Sequence, residues 1–403
     1  MFSRGIRFAA LAATALALTA CAAIDGTAAP GEIDVRTLDV GKYATDPLDL
    51  RYTYHHDMSG ATQLSIMRLA GQVVTGPDID PSLKYGAGML AIGNAEKATK
   101  ALADVARPVL EANRMLFGYA VTVSESAPDK AGKVVPGTGN AARVAVMQFP
   151  SPEAAAKAAA EIETADFDFA ADQNQRVDLP KYADAHSHWR PGVASLGSTM
   201  ARSNYVIDVH VGTKEADLTG LTELAQKVYD AQVPLLDALR PLSREDMLRL
   251  PYDPDGMLRR TLNPDGIGTP DASDQAVYGV RGYLHKATDQ EYWTQRLSEA
   301  GVDRYSVTRS MSIASTLLRA RDAAAAGDLA KVVLEKSYPG AADAPTAIPG
   351  AVCGETQDKA NYSAKRFRCA VTYQRYVATV EGDQLADAHQ RAAAQYALLA
   401  NSW

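Results

Sequence analysis

Cysteine is scarce in this chain. Three in 403 residues, at positions 21, 353 and 369, leave the first 350 residues with one thiol and exclude a disulfide-built scaffold. Positive charge is also in deficit: 41 Lys and Arg against 48 Asp and Glu give a formal charge of −7. That argues against a nucleic-acid partner, which rewards clustered cations, and against broad electrostatic adhesion to anionic lipid. Catalytic signatures are missing. "GVASLGS" misses the G-x-S-x-G elbow by one residue, no S-x-x-K occurs, and neither "GTGNAAR" nor "YGAGMLAIG" is a Walker A loop or a full G-x-G-x-x-G. Phenylalanine is rare too, 7 against 18 tyrosines, and tyrosine is the aromatic that suits wet binding surfaces. What is present is ordinary globular composition, 47% hydrophobic and 22% charged. A single core rarely grows past about 250–300 residues, so two domains are expected.

The first of the cysteines has a context. Arg4 and Arg7 precede the apolar run "FAALAATALALTA", Phe8 to Ala20. The run is shorter than the roughly 20 residues that span a bilayer and suits a signal-peptide core. Leu18, Thr19 and Ala20 before Cys21 resemble the bacterial lipobox. That resemblance implies a diacylglycerol on the Cys21 thiol and cleavage before it, and acyl chains at about 0.8 kcal/mol per buried methylene anchor a protein stably. The other reading is an ordinary secretory peptide with an incidental thiol. With Cys21 lipidated, Cys353 and Cys369 form an even pair in an oxidising compartment, and a disulfide is their natural state. A catalytic thiol or half a metal site are the alternatives.

Residues 1–20 therefore read as a lipoprotein signal peptide and 21–32 as a flexible tether. An N-terminal α+β domain follows over 33–240, then a Pro/Asp/Gly-rich linker over 241–274 and a C-terminal α+β domain over 275–403. In the first domain "GATQLSIMRLAGQVV" is compatible with a helix. "NAEKATKALADVARPVLEA" is helical from Asn94 with a break at Pro108, and "RMLFGYAVTVSES" is a strand. "ARVAVMQFPSPEAAAKAAAEIE" is a strand and a helix capped by Ser151 with Pro152 in its first turn. "GVASLGSTMARSNYVIDVHVG" is a hairpin turning near Arg202–Asn204, and the helix after it should kink at Pro234. The second half repeats the order: "QAVYGVRGYLH" as a strand, "STLLRARDAAAAGDLAKVVLE" as strand and helix, "RFRCAVTYQRYVATVEG" as a hairpin, and a closing helix. Matching "SNYVIDVHVG" with "QRYVATVEG" gives two related strand–helix–strand–strand–helix units. The expected class is α+β, antiparallel sheets with helices packed on one face.

"TLDVGKYATDP", "MRLAGQVVTGPDIDPSL", the lipobox and "RCAVTYQRYVATV…AAAQYALL" together resemble an uncharacterised envelope lipoprotein family of actinobacteria, of mycobacterial and nocardial type. The cysteine–strand–hairpin–helix ending also resembles, more weakly, extracellular sensor domains of actinobacterial serine/threonine kinases. The resemblance implies a two-part α+β ectodomain on the outer face of the cell membrane, and no activity.

Candidate chemistry is sparse. In "DAHSHW", Asp184, His186 and His188 would share one face of an extended strand, a partial site for zinc or iron to which His210 is the natural long-range addition; exposed loop histidines are the plainer reading. "YTYHHDM" offers His55, His56 and Asp57 beside Tyr52 and Tyr54, but adjacent histidines face opposite ways on a strand. Asp166, Asp168 and Asp172 sit among Phe167 and Phe169 without EF-hand spacing. "DPDG" and "NPDG" (253–256 and 263–266) are turn formers. No catalytic residue, cofactor or metal is assigned. The expected function is a membrane-anchored, non-enzymatic ectodomain binding a small-molecule, lipid or protein partner. The alternative is a metal-dependent envelope hydrolase using His186, His188 and His210.

Overall fold

Local signals place most of the elements, and register then builds two matching sheets from them. The computed structural model describes residues 32–49, 54–310, 313–356 and 365–402. In the first half, helices α1 (Met58–Ala70) and α2 (Gly76–Ile79) precede strand β1 (Tyr85–Ile92). Short helices α3 (Ala95–Ala98) and α4 (Arg107–Ala112) lead to β2 (Phe117–Ser124) and β3 (Ala141–Gln148). Helix α5 (Pro152–Asp168) is followed by β4 (Gln175–Arg176), β5 (His186–Trp189), β6 (Ser195–Arg202), β7 (Tyr205–Gly212) and helix α6 (Leu218–Asp237). The second half holds α7 (Arg244–Leu248), β8 (Gln275–Tyr278), α8 (Val280–Leu284), α9 (Gln290–Glu299), β9 (Arg304–Ser310) and β10 (Ile313–Arg319). It closes with α10 (Ala323–Val332), β11 (Gly340–Ala342), β12 (Val352–Glu355), β13 (Phe367–Tyr373), β14 (Tyr376–Gly382) and α11 (Leu385–Ala400).

The sheets run β1-β2-β3-β7-β6-β5-β4 and β8-β9-β10-β14-β13-β12-β11, antiparallel throughout. Counted from the first strand of each half, the two orders are identical. The α+β class and the two related units are what the sequence order predicts. Both halves enter the helix after the third strand through a side-chain cap: Ser151 Oγ accepts from Ala154 N at 3.2 Å, and an Asp322 carboxylate oxygen accepts from Ala325 N at 2.8 Å. Both hairpins turn through a residue at positive φ, Ser203 at 52° and Gln374 at 48°.

The helices are not confined to one face, the arrangement expected from sequence. Both sheets are covered on both sides, the second by α10 on one face and α11 on the other, which leaves β14 buried at every position. One face of the first sheet packs Ala120, Ala145, Met147 and Val206 against Ala155, Ala158, Ala159 and Ile162 of α5. The small alanines let that helix approach the sheet closely. The other face turns Tyr119, Val121, Val144, Val146, Ile207 and Val209 toward α1 and α6. Strands covered on both sides read as near-continuous apolar runs, which is why β2 and β3 are buried almost throughout.

From Arg36 onward the chain forms one compact unit, and the cluster around α1 and α6 continues into Tyr278, Tyr305, Leu318 and Leu329 of the second half. Residues 241–274 carry α7 and bury Leu242, Met247, Met257, Leu258, Leu262 and Ala272.

Some details depart from the sequence pattern. The stretch 94–112 divides into α3, a single 3-10 turn and α4, with Pro108 in the first turn of α4, where its missing N–H costs nothing. Pro234 falls in the final turn of α6. "QAVYGVRGYLH" is a strand only to Tyr278, because Gly279 starts α8. The glycine-rich "YGAGMLAI" is strand β1, bulged between Gly86 and Met89 with Gly88 at a φ of 112°. Cys353 and Cys369, expected to pair, are cross-strand partners on β12 and β13 and are joined in a disulfide.

Candidate functional site

The clearest recess is an open cleft of about 560 Å³ in the second half. Its floor is the face of the second sheet that carries Arg309, Thr316, Arg368, Thr379 and Glu381. One wall is the end of α8 and the start of α9, with Tyr283, Lys286 and Trp293. The other is the segment after α10, with Lys336 and Tyr338. Antiparallel register fixes the floor: Arg368 lies opposite Glu381, Glu381 closes on Ala314 N at 3.3 Å, and Ala314 lies opposite Arg309. Tyr305, Tyr338 and Glu381 are buried. Gly354 lies beside this floor, and a Cβ there would stand 2.3 Å from the Tyr338 carbonyl oxygen, so only glycine lets the chain after α10 pass so close.

The cleft holds four cations. Arg368 pairs with Glu381 and stacks 4.3 Å over the Tyr338 ring. Lys336 pairs with Asp289, and Arg309 pairs with Asp274 at 3.2 Å. Lys286 has no carboxylate within ion-pair distance among the described residues. Its Nζ donates to the Ser273 carbonyl at 3.3 Å and lies 5.3 and 5.8 Å from the rings of Tyr278 and Tyr305. Lys286 is exposed at the cleft mouth; partial desolvation, and then repulsion from Arg309, lower its ammonium to about 8 against the more distant attraction of Asp274 and Asp271. The arrangement presents one uncompensated cation among aromatic walls, a setting for an anion with a flat apolar part.

The same face of the first sheet carries a different cluster. His188, Gly197, His210, Arg143 and Thr122 form one row across β5, β6, β7, β3 and β2. From α5, Glu163 accepts from or donates to His188 Nδ1 at 2.8 Å, and Asp166 lies 3.9 Å from His188 Nε2. Burial raises the Glu163 carboxyl, and the hydrogen bond from Glu163 raises His188 in turn. Asp208, hydrogen-bonded by Thr199 Oγ1 at 3.1 Å, is pushed up to about 6 by desolvation. Desolvation and Arg143 lower His210 to about 4.

The histidines proposed from sequence do not come together on one ion. His188 and His210 flank Gly197 from opposite sides, two strand spacings or roughly 9–10 Å apart. His186 is on the same strand but exposed, as is Asp184. Among the described residues, the ligand atoms that lie within 4.8 Å of one another in a group of three belong to Cys353, Cys369 and His389, and those sulfurs are already bonded to each other. "DAHSHW" is not the polar loop expected: 186–189 is strand β5.

The remaining candidates have structural roles. Asp57 caps α1 by accepting from Gly60 N at 2.7 Å. His55 and His56 are exposed, while Tyr54 is buried against Tyr252 with ring centroids 5.1 Å apart. Asp168 and Asp172 are exposed, and Phe169 is 79% exposed. In "DPDG", Asp253 accepts from Leu258 N and Arg259 N, and Asp255 pairs with Arg304 at 2.6 Å. In "NPDG", Asn263 closes the turn onto Ile267. Cys21 and Tyr52 lie outside the described residues.

Sequence reasoning missed Glu163, Asp208, Lys286, Arg309, Arg368 and Glu381. A signal existed for two of them. Glu163 follows the buried stripe Ala155, Ala159, Ile162, and Asp208 alternates with buried Ile207 and Val209 beside His210. Polar residues at such positions read as solvent-facing until a helix is seen to cover them.

Comparison with known proteins gives a family and no activity. The family model described as domain of unknown function (DUF7373) N-terminal matches residues 52–252, and the corresponding C-terminal model matches residues 257–402. No curated protein matches the chain. Among solved structures, the extracellular domain of PknH from Mycobacterium tuberculosis matches at 10% identity with a TM-score of 0.29, over 41% of this chain and 93% of that one. With both parts matched over most of its length, the chain belongs to the DUF7373 family.

Proposed function

We propose that the chain is an envelope lipoprotein, held at the outer face of the cell membrane by acyl chains on Cys21, and that its folded part binds a small anionic molecule without transforming it. The observation that carries the binding reading is Lys286. It is the one cation of the cleft lacking a carboxylate partner among the described residues, and it lies between Tyr278, Tyr283 and Tyr305. An anion placed there would pair with an ammonium that is exposed at the cleft mouth and has only Asp274 and Asp271, beyond ion-pair distance, as opposite charges. Among the described residues of this cleft, no nucleophile stands within hydrogen-bond reach of a general base. The address rests on the sequence "LTAC" at 18–21 alone. Among the described residues no helix is long and apolar enough to cross a membrane, so an attached lipid supplies the anchor in this reading.

Trp293 lines the cleft and reports on its contents. Benzoate and inorganic phosphate, titrated separately into the full chain at pH 7, test the reading through tryptophan fluorescence. Benzoate should give a saturable change that Lys286→Ala weakens at least tenfold. Binding should also weaken between pH 7 and 9, because the ammonium that holds the anion is lost as pH rises through about 8. An unsaturable response to both probes, or equal affinity in Lys286→Ala, would sink it. The anchor is tested by Cys21→Ala in the native host: a variant that stays membrane-bound with an unchanged mature mass removes the lipoprotein reading.

A further inference from the structure

We infer a second ligand site in the first half of the chain, a pocket for a small monocarboxylate with an apolar body, seated on Arg143. The pocket holds about 400 Å³ and lies between the 134–139 segment and residues 193–195. Its floor is the strand row of Thr122, Arg143 and His210, paired across β2, β3 and β7. The walls are aliphatic: Val134, Val135, Pro136, Val193 and Ala194. Val135 and Val193 are 41% and 40% exposed, two of the five large apolar side chains left exposed among the described residues. Both of them border this one pocket.

The wall is built rather than loose. Asp129 accepts from Ala131 N at 2.8 Å and Lys133 N at 2.9 Å, Ser126 Oγ donates to the Thr138 carbonyl at 2.9 Å, and Asn140 N donates to Glu125 at 2.9 Å. These bonds hold the 126–140 connection over the end of β3.

The floor selects the ligand's charge. Arg143 has no carboxylate within ion-pair distance among the described residues, although Asp208 faces it along the sheet, and its Nε is buried without an acceptor. A buried guanidinium donor left unpaired is costly, and a carboxylate is the acceptor whose two oxygens match its fork. None of the residues lining the pocket is acidic. His210 beside Arg143 is exposed at the pocket rim, and partial desolvation and the Arg143 charge lower it below the ordinary 6.5, so it adds an N–H donor and no second charge near neutral pH. One cation, a neutral donor and aliphatic walls fit a monoanion with a hydrocarbon body better than a phosphate, which would call for more positive charge.

Octanoate is a suitable probe, and calorimetry on the full chain carrying Lys286→Ala keeps this pocket separate from the cleft of the second half. One saturable event is expected. Arg143→Met and, separately, Val135→Asp on the exposed wall should each weaken it at least tenfold, and 1-octanol, with the same body and no charge, should bind at least tenfold more weakly. Circular dichroism establishes that each variant is folded; Val135 is exposed enough that its substitution leaves the core intact. The absence of saturable octanoate binding overturns the inference. So does binding that survives either substitution in a folded chain, or octanol binding as tightly as octanoate.

Discussion

At the crossing of the same two strands, the first half of the molecule holds Ser187 opposite Ser198 and the second holds Cys353 opposite Cys369. The serines share a hydrogen bond of 2.7 Å, and Ser198 passes it on to Tyr229 Oη at 2.8 Å. The cysteines share a covalent bond. Matched row by row, the sheets continue to differ. His188, Gly197, His210, Arg143 and Thr122 in the first correspond to Gly354, Arg368, Glu381, Ala314 and Arg309 in the second. The backbone pattern is the same while the charge sits on different strands. Where the first half fills the space over its row with Glu163 and His188 from α5 and β5, the second has Leu334 at the position matching Glu163 and leaves a cleft. One scaffold therefore offers two recesses of different chemistry: an aromatic cationic cleft, and an aliphatic pocket displaced toward the strand ends.

The comparison can be broken from either side. The largest effect should come from making the second half resemble the first. Cys353→Ser together with Cys369→Ser restores the serine pair and opens a loop of 16 residues, worth about 3 kcal/mol in the chain-entropy model. Urea unfolding of the double variant should show a loss of that size. A loss below about 1 kcal/mol would mean that the sheet, as in the first half, holds without the bond.

An effect no larger, and spread across a pH window, is expected from the reverse change, Asp208→Thr, which installs the residue found at the matching position 379. In the folded chain Asp208 titrates at about 6 against an ordinary 3.8. The folded carboxyl keeps its proton to higher pH than the unfolded one, so the unfolded chain binds fewer protons between about pH 4 and 6. Stability from this group is therefore present at low pH and falls as pH rises across that window. The groups facing it are Arg143, Asp166, His188 and Thr199. Asp208→Thr should flatten the decline by about 3 kcal/mol, read as the slope of unfolding free energy against pH. His188, whose value is raised by Glu163, works in a higher window: its contribution is full below 6.5 and is lost as pH rises through its folded value. An unchanged slope between pH 4 and 6 would place the Asp208 carboxyl in ordinary solvent.

Much of this architecture is legible in the chain itself. Ser151–Pro152 and Asp322 start helices because a short oxygen-bearing side chain satisfies the free N–H groups of the first turn. "ARSNYV" and "YQRYV" turn where a polar residue tolerates positive φ. The metal reading of His186, His188 and His210 was equally legible in the sequence and fails on register, since alternation along one strand says nothing about which strand lies beside it. Lys286 carried no signal, because its importance comes from Tyr305 on β9 and from the lack of a partner acid, both set by tertiary packing.

By itself, then, the sequence determined the strand–helix–strand–strand–helix core of each half, the duplication, the caps and turns, and the pairing of the last two cysteines, while β1, β4, β5, β9, β11 and β12 emerged only in the sheets. Each of these is governed by neighbours in the chain or by simple counting. The tertiary structure alone decided that Glu163 meets His188, that Arg143 ends beneath an aliphatic wall, and that Lys286 stands uncompensated between tyrosines. Those meetings depend on strand register and on the fit of helices over a sheet, where residues far apart in sequence share one low-dielectric space and must either find partners or await a ligand.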